Sequence, residues 1–92
     1  MIKTFKHKGL KKFFEKGSKA GIQPEHEEKI RLILGELETA GNIKDLDSPG
    51  LKLHQLKGDK KDTYAISVSG NWRITFRFKD GDIFDVNYED YH

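Results

Sequence analysis

The segment Trp72-Arg73-Ile74-Thr75-Phe76-Arg77-Phe78-Lys79 decides the fold. Large apolar residues take every second position and polar ones the positions between, the period of two that fits a strand with one buried and one wet face. Trp72, Ile74, Phe76 and Phe78 are expected to point into a core, and Arg73, Thr75, Arg77 and Lys79 away from it. Downstream, Asp80-Gly81 is a strong two-residue hairpin signal, and Phe84, Val86 and Tyr88 repeat the alternation in a last strand. Upstream, Ser69-Gly70-Asn71 marks another tight turn, and Tyr64, Ile66 and Val68 alternate with Ala65 and Ser67. Leu51 and Leu53 alternate with Lys52 and His54, so the antiparallel meander is expected to begin at Leu51, after the turn residues Asp47-Ser48-Pro49-Gly50.

Before residue 50 the period changes to 3.6. Leu10, Phe13 and Phe14 line one side of a short helix over 8–17, with Lys8, Lys11, Lys12, Lys16 and Lys19 on its back and Gly17 at its end. A second helix is expected from Pro24, with Glu25, Glu27 and Glu28 at the positive end of its dipole, Ile30, Ile33, Leu34 and Leu37 as its buried stripe, and Gly41 as its stop. Residues 42–50 read as a connector with a helical turn. Two helices followed by a meander predict one α+β domain over residues 1–92, with the two N-terminal helices packed on one face of a mainly antiparallel sheet.

At 92 residues the chain has length for one domain. Its charged fraction of 35% exceeds the about 25% of an average soluble domain. The formal net charge of +2 conceals a gradient, because residues 1–20 carry +6 and residues 80–92 carry −5. With no cysteine there is no disulfide scaffold, thiolate metal site or thiol chemistry. The longest apolar run, Leu32-Ile33-Leu34, is far below the ~20 residues of a membrane span, so no membrane partner is expected. The lysine-rich opening Met1-Ile2-Lys3-Thr4-Phe5-Lys6 is followed by no apolar stretch and is read as mature protein.

The alternation has a functional corollary. Arg73, Arg77 and Lys79 share the outward face, His54 lies outward beside Lys52, and Lys57 follows in the loop Lys57-Gly58-Asp59-Lys60-Lys61. The open sheet face is therefore basic and carries a histidine. Two of the three arginines lie on the Trp72 strand, and a planar guanidinium fork matches a phosphate. The other reading pairs Arg73 and Arg77 across strands with acids such as Asp85 and Glu89. The ending Tyr88-Glu89-Asp90-Tyr91-His92 concentrates proton carriers and stacking groups directly after a strand, although it reads equally as a solvated tail. A metal site from Asp82, Asp85, Glu89, Asp90 and His92 is disfavoured because alternation divides these side chains between two faces. His26, on the apolar side of the second helix, and His7, in a lysine-rich junction, are read as structural or solvent-facing, and the lysine ridge of the first helix as a solvated face or a phosphate-contacting one.

The whole chain resembles the HigB-type toxins, also called plasmid maintenance killer proteins, of the RelE/ParE toxin superfamily. The segments that carry this are Leu51-Lys52-Leu53-His54-Gln55-Leu56-Lys57-Gly58, Gly70-Asn71-Trp72-Arg73-Ile74-Thr75-Phe76 and Asn87-Tyr88-Glu89-Asp90-Tyr91-His92, with Phe5-Lys6-His7-Lys8-Gly9-Leu10 at the start. The resemblance implies a RelE-like fold and a ribosome-dependent mRNA endonuclease of the bacterial cytoplasm, cutting message in the decoding site. It also implies inhibition by a HigA-like helix-turn-helix antitoxin, and contact with operator DNA only through the toxin-antitoxin complex.

It places the catalytic set on His54, Lys57, Arg73, Asp90, Tyr91 and His92; Arg77, Lys60 and Lys61 are added as substrate-binding cations. Cleavage through a 2′-hydroxyl needs a base at that hydroxyl, cations at the phosphate and an acid at the leaving 5′-oxygen, and implies no metal or cofactor. Arg73 and Lys57 are the cations, and His54, Asp90 and His92 the proton carriers, with base and acid unassigned. Tyr91 orients or stacks a base. Two alternatives stay open: a ParE-like gyrase-inhibiting toxin, which needs no acid-base set, and an RNA- or ribosome-binding module without turnover.

Overall fold

A computed structural model describes residues 1–58 and 62–91. Helix α1 spans Lys8–Lys16 and helix α2 spans Glu27–Thr39, with 3₁₀ turns at Pro24–His26 and Ile43–Leu46. Four strands follow: β1 His54–Gln55, β2 Thr63–Ser69, β3 Trp72–Lys79 and β4 Asp82–Asp90. They form one sheet in the order β1-β2-β3-β4, each neighbour antiparallel. The helices cover one face. Leu10 and Phe13 of α1, the Ile30, Ile33, Leu34 and Leu37 stripe of α2, and Ile66, Ile74, Phe76, Ile83 and Val86 of the strands form a continuous buried cluster. The expected α+β architecture is therefore the one observed.

Turn chemistry sets the register. Asp80 and Gly81 both have positive φ, 52° and 84°, the requirement of the hairpin turn whose twist matches its strands. Gly17, at φ 73°, ends α1 in the left-handed region, and its amide donates to the Phe13 carbonyl at 3.0 Å. The second helix stops two residues before Gly41, because Ala40 turns extended and buries itself, while the Asp45 carboxylate accepts from the Gly41 and Asn42 amides at 2.8 and 3.1 Å.

Three features differ from the expectation. The meander begins later than Leu51: Lys52 sits at φ 50° in a turn, and β1 is only His54–Gln55. In β4 the buried series is Ile83, Val86 and Tyr88, so Ile83 replaces Phe84 in the core. A bulge causes this, since Thr75 pairs with Asn87 and Arg77 with Phe84, which leaves one extra residue on β4. Asp85, at φ 54°, absorbs it. Finally, the lysine-rich opening lies parallel to β4, with bridges of Ile2 to Ile83 and Phe5 to Val86, and covers that sheet edge.

The start of α1 is tied down twice. His7, read as structural or solvent-facing, is the N-cap: its Nδ1 accepts the Leu10 amide at 3.0 Å. Gly9 then crosses Gly21 so closely that a Cβ on Gly9 would meet the Gly21 Cα at 2.9 Å, and one on Gly21 the Gly9 Cα at 2.8 Å. Backbone cannot swing aside like a flexible side chain, so Gly9→Ala or Gly21→Ala is expected to cost about 1–3 kcal/mol. Urea unfolding checks this, with Gly35→Ala, where nothing lies within 4 Å, as the comparison that keeps or gains stability.

Burial holds the His7 imidazole below its ordinary value, against an opposing contribution from its own backbone hydrogen bond. The folded state therefore takes up this proton less readily than the unfolded chain, whose value is about 6.5. The stability associated with neutral His7 is present above about pH 6.5 and is lost as the pH falls below it. Urea midpoints measured from pH 7 to pH 5 should decline, and His7→Asn, which caps without titrating, should flatten part of that decline.

Candidate active site

The site is assembled on the face opposite the helices. Register places three rows across it: Ser67, Arg73 and Glu89; then His54, Ala65, Thr75 and Asn87; then Thr63 and Arg77. His54 and Arg73 thus stand about 10 Å apart across the strands and about 7 Å along them, backbone to backbone. The Arg73 guanidinium turns toward β4, to Glu89 and Tyr91, so the two side chains are on one face without touching.

Arg73 is the best-held cation on this face. Its Nη2 and Nε donate to Glu89 Oε2 at 3.0 and 3.3 Å, and its Cζ lies 4.0 Å from the centre of the Tyr91 ring. The side chain is only 14% exposed. The cross-strand pairing expected of Arg73 is the one observed, with Glu89; the guanidinium is also stacked and partly desolvated beside Tyr91, where a cation acts more strongly than in water. The Tyr91 amide donates to the Asn71 carbonyl at 2.9 Å, continuing the ladder past β4 and holding the main chain that carries the ring. Glu89 enters the sequence reading as a pairing acid and as a member of the disfavoured metal set; its i, i+2 relation to Tyr91, which puts both on the Arg73 face, is the signal for a closer role. Asp90 pairs in register with Trp72, has the opposite parity, and is exposed at the strand end.

His54 lies exposed at the opposite edge. Its Nδ1 is 3.2 Å from the Lys52 carbonyl oxygen, which can only accept, so this nitrogen carries the proton. In the neutral ring Nε2 is then left with its lone pair, the form of a base. Lys57 follows β1 and is exposed. Arg77, 46% exposed, donates to Asp85 Oδ2 at 3.2 Å. Lys60, Lys61 and His92 lie outside the described residues.

The face is less open than alternation suggests. Ala65 and Thr75 point away from the helices and are still buried, at 0% and 7% exposure. Three acids of the alternative metal set are engaged with cations: Asp82 with the N-terminal amine at 3.7 Å, Asp85 with Arg77 and Glu89 with Arg73. Among the described residues no three His, Cys, Asp or Glu side chains cluster as metal ligands.

The other side of the same strand end anchors it. Tyr88, one residue before Glu89, is buried; its hydroxyl lies 2.6 Å from His26 Nδ1 and accepts the Gln23 amide at 3.4 Å. Trp72, His26 and His7 pack around its ring. Burial, more than the charge of Glu25, pushes the Tyr88 phenol above its ordinary value, while the Gln23 bond opposes it. The reading of His26 as a packed histidine agrees with this.

Comparison with known proteins adds the family. A model of RelE-like toxins of type II toxin-antitoxin systems, the HigB-like toxin family, matches residues 3–92. The chain is 49% identical over 92 residues, the full length of both proteins, to a Proteus vulgaris protein named Endoribonuclease HigB. Its fold is shared with YoeB of Staphylococcus aureus, solved as a dimer, at a TM-score of 0.62 and 18% identity over 99% of this chain and 94% of that one. Among the described residues no helix is long and apolar enough to cross a membrane. With a match that runs through both helices and all four strands, this chain belongs to the HigB-like toxins, the toxin half of type II toxin-antitoxin systems.

Proposed function

We propose that this toxin cuts mRNA on the ribosome, and that its single domain, residues 1–92, works through a 2′-hydroxyl attack needing no metal. Endoribonuclease activity itself follows from 49% identity over the full length of a relative of that name. The observation that carries the finer reading is the fixed, partly desolvated Arg73 beneath Tyr91, on the face that also bears His54 with its Nδ1 proton committed to Lys52.

In the proposed reaction His54 Nε2 takes the proton of the 2′-hydroxyl. The new O2′–P bond forms as P–O5′ breaks, and a proton from the end of the chain, proposed as that of His92 with Asp90 two residues before it in support, reaches the leaving 5′-oxygen. Arg73 and Lys57 offset the charge gathering on the phosphate oxygens, Tyr91 stacks on a base, and Arg77, Lys60 and Lys61 hold flanking phosphate. The products are a 2′,3′-cyclic phosphate and a 5′-hydroxyl. The partner that restrains the toxin is proposed to be a HigA-like helix-turn-helix protein, through which alone operator DNA is reached, and the place of action the bacterial cytoplasm.

The test incubates purified toxin with ribosomes and a defined message and maps 5′ ends. New 5′-hydroxyl ends that require ribosomes and persist with a chelator are expected. Unchanged ends would leave only binding, and induction that triggers DNA-damage signalling before translation stops would point to a gyrase poison.

A further inference from the structure

We propose that a cavity of about 380 Å³ on the open sheet face is a subsite for one RNA nucleotide beside the one being cut, and that Asp85 tunes it by screening Arg77. This rests on the reading of that face as the RNA-cutting surface. The cavity is lined by Lys6, Leu56, Thr63, Thr75, Arg77 and Asp85, with Phe76 at its floor between Thr75 and Arg77 in the chain. It is contiguous with the candidate site, since Thr75 is two residues along β3 from Arg73 and Arg77 four, about 7 and 13 Å. An RNA strand held at Arg73 and running along β3 passes over it.

The lining chemistry suits a nucleotide. Leu56 offers an apolar wall to a base, Thr63 and Thr75 carry hydroxyls that can meet a base edge or a 2′-hydroxyl, and Lys6 and Arg77 place two cations for a phosphate. Its size lies in the range of small-ligand sites. The lone acid is the informative residue. Asp85 is held independently of Arg77: its amide donates to Thr4 Oγ1 at 2.8 Å, and that hydroxyl donates to Asp85 Oδ1 at 3.4 Å. Its other oxygen meets Arg77 at 3.2 Å. A phosphate arriving at Arg77 therefore competes with a carboxylate that is already fixed in place.

Asp85→Asn separates charge from structure. Asparagine tolerates the positive φ of the bulge and keeps an oxygen for Thr4, yet cannot compete as an anion. The probe is a 2′-O-methyl RNA hexamer of mixed sequence, whose blocked 2′-oxygens cannot attack, bound to full-length toxin across a salt series. Asp85→Asn is expected to bind it several-fold more tightly and with a steeper salt dependence. Arg77→Ala should bind more weakly, with the slope reduced by about 0.7, the share of one single-strand phosphate. Thr75→Val, with its melting point checked, should weaken binding at an unchanged slope. If Asp85→Asn and Arg77→Ala both match the parent while Arg73→Ala loses binding, the subsite is wrong and the RNA-face reading stands. If Arg73→Ala also matches the parent, that reading falls as well; if no form binds the free hexamer, the subsite falls and the ribosome-dependent reading is judged by the 5′-end mapping.

Discussion

Arg73→Ala is expected to lower mRNA cleavage on ribosomes about a hundredfold to a thousandfold while leaving the melting point close to the parental one. The magnitude is that of removing one fixed donor aimed at developing charge. Arg73 fits this role because its freedom is already spent: Glu89 holds two of its nitrogens and the Tyr91 ring covers its plane. Little structure is lost with it, because Glu89 is 32% exposed and water can solvate it. Lysine at this position should recover only part of the rate, since a point charge neither forks onto Glu89 nor stacks as a plane. Counting cleaved 5′ ends over time, beside a thermal melt, checks both halves, and a variant cutting at the parental rate removes Arg73 from the mechanism.

Phe76→Ala, three residues further along the same strand, should do the reverse. Phe76 is 1% exposed, stacks against Tyr64 with centroids 5.9 Å apart, and belongs to the buried cluster beneath the helices. Truncation removes its transfer free energy and leaves a cavity, about 3–5 kcal/mol together. Against a total stability of about 5–15 kcal/mol this brings the domain near its folding threshold. The melting point should fall by more than about 10 °C. Cleavage measured well below the new melting point should fall far less than in Arg73→Ala, since Phe76 is 1% exposed and is none of the groups proposed to react, although it also borders the cavity on the open face. A melting point shift of only a few degrees would mean that the core closes over the gap.

The contrast between these neighbours shows what was legible in the chain. Alternation over 72–79 separated Phe76 from Arg73 without a structure, because a strand's pleat sends successive side chains to opposite faces wherever the strand runs straight. The same logic failed at Ile83 and Phe84. A bulge at Asp85 adds one residue and reverses the parity, and an aspartate at positive φ carries no strong local signature of that conformation. Leu51 also misled, since period-two spacing over four residues fits a turn as readily as a strand. The candidates His54 and Arg73 were readable as residue types on the open face, and Glu89 as one candidate partner of the arginines, but that Glu89 and Tyr91 together hold Arg73 was not. The closeness of Glu89 to Tyr91 and Arg73 depends on which β4 residue stands opposite Arg73.

By itself, then, the sequence determined the class of the fold, the two helix stripes, the hairpin at Asp80-Gly81 and the placing of Arg73 and Arg77 on one sheet face. These are local properties, set by the period of apolar residues and the dihedral preferences of single residues. Only the tertiary structure decided that the lysine-rich opening runs beside β4, that Gly9 and Gly21 touch, that His26 anchors Tyr88 across 62 residues, and that Arg73 is held by Glu89 and Tyr91. Each of these joins residues far apart in the chain. Their meeting depends on register and packing, which no single segment encodes.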